Sequence, residues 1–402
     1  MKLALITAFP PSKITLNEYG YHLVKHFVKK DEITELLLLT DKTEGDKALN
    51  FDDLKCKLSV HECWSFNSLF NIMTVVRTLF KTKPDAVLLN LQFLKFGDKK
   101  LAAALGLLLP LACKFLRIPN VVLLHNIMET VDLESAGFSS NALVKKTYAG
   151  IGTVLTRLIL QADCVALTIQ KYVKILEQKY KVKNLYCIPH GTFELAENPS
   201  FNLPYGPLQI MTFGKFGTYK KVENMIEAVE LVRNRTNTDL EIVIAGTDNP
   251  NVPGYLEAVK KKYAHIEQLR FTGYVAEEDV AKLFRDSAVV VFPYTSTTGS
   301  SGVLHQAGSY GKAVVMPDLG DLSELVMDEG YVGEFFEPSC VSSLAMAIEK
   351  IAIDEQYRTD LGRINYKAAT AFPMSRITDI YLEKINELLK RKRPVASKVD
   401  VV

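Results

Sequence analysis

The residues best fitted to chemistry in this 402-residue chain are Lys215 and Lys220, around a glycine turn in the stretch Gly214-Lys215-Phe216-Gly217-Thr218-Tyr219-Lys220-Lys221. The turn follows the apolar run Leu208–Phe213, so Gly214 is expected to end a strand where a side chain would block close approach. Ammonium groups there can neutralise charge left on a departing group, and a diphosphate suits them. A second stretch, Thr298 to Val315, reads T-G-S-S-G-V-L-H-Q-A-G-S-Y-G-K-A-V-V. Apolar runs flank its helical part, giving strand, glycine-bearing turn, helix, strand. The free N–H groups at such a helix start form an anion site. Neither stretch is a Walker loop, because G-x-x-x-x-G-K-[S/T] is absent.

Alternating strands and helices must position these residues. Lys2–Ala8, Glu35–Thr40, Leu58–Trp64, Asp85–Asn90, Asn120–His125, Asp163–Thr168 and Leu185–Ile188 read as strands, with helices between them. The apolar stretch 100–116 reads as one of those helices. Residues 191–207 break the rhythm with two glycines and three prolines and read as a linker. A second series then begins at Leu208, with strands at 240–245, 269–271, 289–292, 313–316 and 332–336. The expectation is α/β: two doubly wound, Rossmann-like domains, 1–190 and 208–374, presenting the C-terminal ends of their strands to a cleft. A helix over 375–390 is expected to follow, with crossing back to the first domain as one option, then a basic, polar tail over 391–402.

Composition bounds the partners. Apolar content of 48% and charged content of 23% are those of an ordinary globular protein. Residues 1–200 carry 25 Lys and Arg against 19 Asp and Glu, so the first half is basic and could favour an anionic acceptor or membrane surface. The apolar run Leu101–Ala112 is too short to span a bilayer, leaving a buried or interfacial helix. Six scattered cysteines and a start that reads as a strand point to the cytoplasm, with a peripheral place at the inner membrane face as the alternative. Asp41, Asp318 and Asp321 make no metal-ligand spacing, so no metal is expected.

The second half resembles the donor-nucleotide domain of glycosyltransferase family 4, the retaining sugar-nucleotide transferases of GT-B architecture. Carrying the resemblance are Ile188-Pro189-His190-Gly191, Phe213-Gly214-Lys215 with Lys220, Ile244-Ala245-Gly246, Phe271-Thr272-Gly273-Tyr274-Val275, Val291-Phe292-Pro293 and Ser301 to Val315. Asp321 and Glu324 resemble the family's G-G-x-x-E turn. In the first half, the 118–125 strand ending in His125 and the Ala162-Asp163 pair match more loosely. Two departures stand out. The family's E-x7-E glutamates fall on Thr298 and Gln306, and the glycine pair after the first strand is absent from Pro10–Leu16.

The resemblance implies transfer of a sugar from a nucleoside diphosphate to an acceptor hydroxyl, without cofactor or metal; the basic first half, the 101–112 run and Lys390–Arg393 set a lipid-linked saccharide beside a free saccharide as the acceptor. The resemblance also implies Lys215, Lys220 and His125 at the reacting groups. Donor contacts fall on Gly214, Thr272, Tyr274, Thr298, Ser300, Ser301, Gly302, Val303 and Gln306. Lys13 and Asn126 fall on the acceptor side. His190 reads as shaping the hinge, while His305 could approach the cleft or simply pack. Peripheral membrane contact is an open partner; nucleic acid is not expected. The rival readings are a non-catalytic sugar-nucleotide-binding subunit, motivated by Thr298 and Gln306, and a sugar-nucleotide 2-epimerase.

Overall fold

The computed structural model describes residues 1–402 except 48, 131–141, 194, 196–198, 200, 250, 297–300 and 393–402. The chain divides into two units, Met1–Pro189 with Met374–Val402, and His190–Pro373.

In unit 1 the strands are β1 (Lys2–Ile6), β2 (Glu35–Asp41), β3 (Lys57–Trp64), β4 (Ala86–Leu91), β5 (Asn120–Leu124), β6 (Cys164–Leu167) and β7 (Leu185–Cys187). They form one sheet in the order β3-β2-β1-β4-β5-β6-β7, every pairing parallel. β4 and β5 are buried along their whole length. Both faces must therefore be covered, which explains their unbroken apolar runs. The covering helices are α1 (Asn17–Phe27), α2 (Asn71–Thr82), α3 (Lys100–Gly106), α4 (Leu109–Phe115), α5 (Ala142–Ile159) and α6 (Gln170–Tyr180). The single helix expected over 100–116 is two. Leu107 and Leu108 separate them, and Pro110 stands in the first turn of α4, where a missing N–H costs nothing.

Unit 2 repeats the plan with β8 (Leu208–Phe216), β9 (Leu240–Asp248), β10 (Leu269–Gly273), β11 (Ser287–Val291), β12 (Ala313–Pro317) and β13 (Glu334–Phe336) in the order β10-β9-β8-β11-β12-β13. Its helices are α7 (Glu223–Thr236), α8 (Tyr255–Lys262), α9 (Glu277–Asp286), α10 (Gly302–Ser309), α11 (Gly320–Glu329), α12 (Val341–Ile353) and α13 (Glu355–Ala371). Within 191–207, Thr192, Pro199 and Phe201 pack onto this unit. Thr192 Oγ1 donates to the Ala369 carbonyl, and Pro199 and Phe201 lie against Gly311.

The last helix, α14 (Met374–Lys392), belongs to unit 1 and packs on α1. Lys30 Nζ fastens its start, reaching Asp379 Oδ1 at 2.6 Å and the Ser375 carbonyl at 2.9 Å. Among the described residues no helix is long and apolar enough to cross a membrane.

Candidate functional site

In both units the sheet order reverses direction beside the first strand, and ligands of such sheets collect at the carboxyl ends of the strands. The sites are built there.

In unit 2, β8 does not stop at Gly214. It continues to Phe216, with Gly214 paired to Gly246 and Lys215 to Thr247. This corrects the reading of Gly214 as a strand terminator. The residue sits inside the strand at φ +142°, a conformation an L side chain rarely adopts, so glycine keeps the ladder running. Gly246 has φ +133°, and a Cβ there would strike the Gly214 carbonyl. Two glycines side by side thus thin the sheet edge. The Thr272 hydroxyl backs them by accepting the Gly246 N–H at 3.2 Å and donating to the Gly273 carbonyl at 2.8 Å.

The loop after β8 brings Lys220 back over Gly214. The Gly217 N–H donates to the Lys220 carbonyl at 3.0 Å, and an isolated antiparallel bridge joins Lys220 to Tyr294. Lys220 is 8% exposed, and its ammonium lies 4.8 Å from the centroid of the Tyr294 ring. No carboxylate among the described residues pairs with it. Burial lowers its pKa from the ordinary lysine value, opposed only by the nearby Tyr219 phenol. An ammonium buried without an anion carries a desolvation cost that an arriving anion would offset. Lys215 stays exposed on the strand.

Helix α10 supplies donors on the same sheet edge. Its N-cap Ser301 is extended, and the leading N–H groups of Gly302 and Val303 have no acceptor within the helix. The Ser301 side chain hydrogen-bonds Tyr294, whose phenol is pushed up by burial. Tyr294 therefore touches both the lysine and the helix start. The sequence reading missed it, although its place after Val291-Phe292-Pro293 was a signal. Gln306 is half-buried on α10 and Tyr274 is 82% exposed. Thr298 and Ser300 lie outside the described residues.

His305 points into the core. Its ring stacks on His190 at 5.0 Å between centroids and 5° between planes. Its Nδ1 lies 3.0 Å from the Tyr331 hydroxyl and 3.4 Å from Glu329 Oε2. The Glu329 spacing is that of an ion pair, yet neither partner is charged near neutrality. Burial drives the His305 imidazole well below its usual value and holds the Glu329 carboxyl as the acid up to about 8. Burial likewise lowers His190 to about 4. The open question about His305 resolves as packing, in a neutral network that braces α10.

In unit 1, His125 follows the end of β5. Its Nε2 lies 2.7 Å from Asn90 Oδ1, and Asn90 Nδ2 donates to Thr7 Oγ1 at 2.9 Å. The ring meets Tyr19 edge-on at 4.6 Å. One polar side chain at the end of each of three adjacent strands thus makes a chain that fixes the imidazole plane. Asn90 also was missed, being a lone polar residue in the run Ala86–Leu91. Among the described residues Asn126 Oδ1 is buried with no hydrogen-bond partner. Lys13 is exposed, in a loop held by Lys95 Nζ on the Thr15 carbonyl at 3.1 Å. No group of His, Cys, Asp or Glu among the described residues could hold a metal ion.

Residues 207–354 match the model of a family described as Glycosyl transferases group 1. The D-inositol 3-phosphate glycosyltransferase of Paenarthrobacter aurescens is 27% identical over 179 residues, 44% of this chain and 43% of that protein. The match thus spans less than half the length of that relative. A glycosyltransferase of Rickettsia africae superposes with a TM-score of 0.68 at 16% identity, covering 97% of this chain and 99% of that one. Anabaena Alr3699/HepE, solved with UDP and glucose, gives 0.68 at 17% identity over 96% of this chain and 100% of its own. The chain has the GT-B fold. Two parallel-sheet, Rossmann-like units are what the alternation of elements leads us to expect, and the GT-B plan is what the resemblance implies.

Proposed function

We propose that the protein is a retaining glycosyltransferase of the family 4 kind, moving a sugar from a nucleoside diphosphate to an acceptor hydroxyl. The observation that carries this reading is the buried Lys220 ammonium, set against Tyr294 and Gly214 with no carboxylate partner among the described residues. The glycosyltransferase family match over 207–354, and a GT-B structure solved with UDP and glucose, support it.

In this mechanism unit 2 holds the donor. Lys215, Lys220 and the N–H groups of Ser301, Gly302 and Val303 take up charge as the carbon–oxygen bond to the diphosphate breaks. The acceptor hydroxyl attacks the face the diphosphate leaves, and a departing phosphate oxygen takes its proton. Positioning and electrostatics supply the rate, so no side chain acts as base. His125 orients the transferred sugar through a ring held by Asn90. Gln306 offers a neutral carbonyl to the ribose hydroxyls where the family has a carboxylate. Thr272 and Tyr274 complete the donor side, Thr298 and Ser300 bring hydroxyls to it, and Lys13 and Asn126 serve the acceptor. The reaction needs no metal. The acceptor is a saccharide, free or carried on a lipid, and the enzyme works in the cytoplasm.

A thermal-shift titration with UDP, GDP and ADP tests the donor assignment, since a ligand bound only by the folded state raises the melting temperature. Absence of a shift with all three would overturn it. The Gln306 carboxamide also motivates a second reading, a sugar-nucleotide-binding subunit without activity. Nucleotide binding with neither transfer nor donor hydrolysis over a full donor and acceptor panel would select it.

A further inference from the structure

We propose that the α2–α3 face of unit 1 docks on an anionic lipid bilayer. Residues 66–117 carry eight Lys and Arg against two Asp, and seven of the eight are exposed, Lys95 being buried. The first 200 residues carry 25 against 19, so the whole basic excess of that half lies in this one segment. The same segment holds eight of the nineteen large apolar side chains that stand exposed among the described residues.

The fold gathers the two features on one surface. On α2, Asn71, Val75 and Leu79 turn inward while Phe70, Met73 and Phe80 stand 66%, 65% and 67% exposed. Arg77 and Lys81 share that outer face. The helix start is tied to the neighbouring segment, because Asn67 Oδ1 accepts the Lys99 N–H at 3.0 Å and the Asn67 N–H reaches the Phe96 carbonyl at 2.8 Å. Leu94 and Leu101, 57% and 62% exposed, belong to the segment tied there, which also carries the exposed Lys99 and Lys100, and α3 packs on α2. An apolar strip rimmed by lysine and arginine has the chemistry of a surface that inserts rings among acyl chains and sets ammonium groups at phosphates. With no membrane-spanning helix among the described residues, the contact is one of lying on the bilayer.

This proposal stands apart from the transfer chemistry and fails separately from it. The test is co-sedimentation of the full chain with phosphatidylcholine vesicles, with and without phosphatidylglycerol. The wild type is expected to bind the phosphatidylglycerol vesicles and release them at high salt. Lys81→Glu/Lys99→Glu/Lys100→Glu should weaken binding by about a hundredfold at low salt, and Phe70→Ser/Met73→Ser by at least about tenfold. Unchanged melting temperature and nucleotide shift would show both variants folded. Wild-type chain left in the supernatant, or both variants binding like wild type, would overturn the proposal. So would a concentration-dependent dimer abolished by Phe70→Ser/Met73→Ser, which would make the face a self-association surface.

Discussion

Lys220 Nζ occupies the space a side chain on Gly214 would need: a Cβ built there lies 2.6 Å from it. Gly214→Ala must displace the ammonium and also strain a backbone at φ +142°. The displaced atom ends a flexible chain, so the steric part is small and the strain costs about 1–3 kcal/mol. We expect a lowered melting temperature and a nucleotide shift reduced more than that strain explains, because the lysine has moved. Gly246→Ala is expected to be worse, since its Cβ strikes the Gly214 carbonyl, which cannot swing aside. Calorimetry of both variants with and without UDP checks the order.

Lys220→Met separates function from stability. Burial lowers the folded-state pKa, so the unfolded chain holds the proton more tightly and the ammonium destabilises the fold below that pKa. Stability should rise as pH climbs from the folded value toward the unfolded one. Methionine keeps the stem and removes the charge. The variant should melt at or above the wild-type temperature at neutral pH, while turnover falls at least about tenfold, roughly 1.4 kcal/mol of lost charge-assisted contact. Turnover near wild type would end the diphosphate assignment.

Much of this site could be read from residue order. Apolar runs such as Val289–Val291 and Ala313–Val315 mark buried parallel strands, and glycines beside them mark close approach. What could not be read depends on side chains meeting across the sheet. Tyr294 and Asn90 act through neighbours 74 and 35 residues away, Lys220 and His125. Helix α13 escaped for a different reason. Its buried positions are Leu361, Gly362, Asn365, Ala368 and Ala369, of which only Leu361 is a large apolar residue, so the apolar stripe is faint. The others are small because α10 packs close: a Cβ on Gly308 would lie 3.0 Å from the Asn365 carbonyl and 3.2 Å from the Ala369 methyl. The helix against which α10 and its leading turn pack was thus hidden by the tightness of its fit.

Asn90→Leu tests whether the imidazole plane matters. It deletes the acceptor at His125 Nε2 and the donor to Thr7 while keeping volume. Buried polar groups left without partners cost about 1–3 kcal/mol. Turnover should fall about tenfold with nucleotide affinity unchanged, because the change lies in unit 1. Asn90→Asp, which keeps the acceptor, should recover part of the rate and move the pH profile upward through its charge. Equal losses in both variants would make Asn90 a purely structural residue.

Gln306→Glu would restore the carboxylate that the resemblance expects. If the ribose hydroxyls meet this side chain, a charged acceptor should tighten nucleotide binding about fivefold to tenfold, roughly 1 kcal/mol. Titration calorimetry with the preferred nucleotide measures it. Weaker binding would place the ribose elsewhere.

Glu329 sets a pH dependence whose sign follows from its environment. Burial raises its folded-state pKa from 4.5 to about 8. The folded chain therefore keeps a proton that the unfolded chain releases, and stability is full below about 4.5 and lost as pH rises to about 8. Glu329→Gln keeps a neutral polar group beside His305 Nδ1 and has no proton to lose. At pH 5 the variant should melt close to the wild type. Above pH 8 it should melt higher, by about 1–2 kcal/mol after relaxation of the site, a few degrees for a chain of this size. The buried His190, lowered to about 4, contributes the opposite limb: stability falls as pH drops from 6.5 toward 4 in wild type and variant alike. Melting curves over this range, taken for both proteins, separate the two limbs. A variant that loses stability between pH 5 and 8 as steeply as the wild type would show that Glu329 is ionised in the folded state.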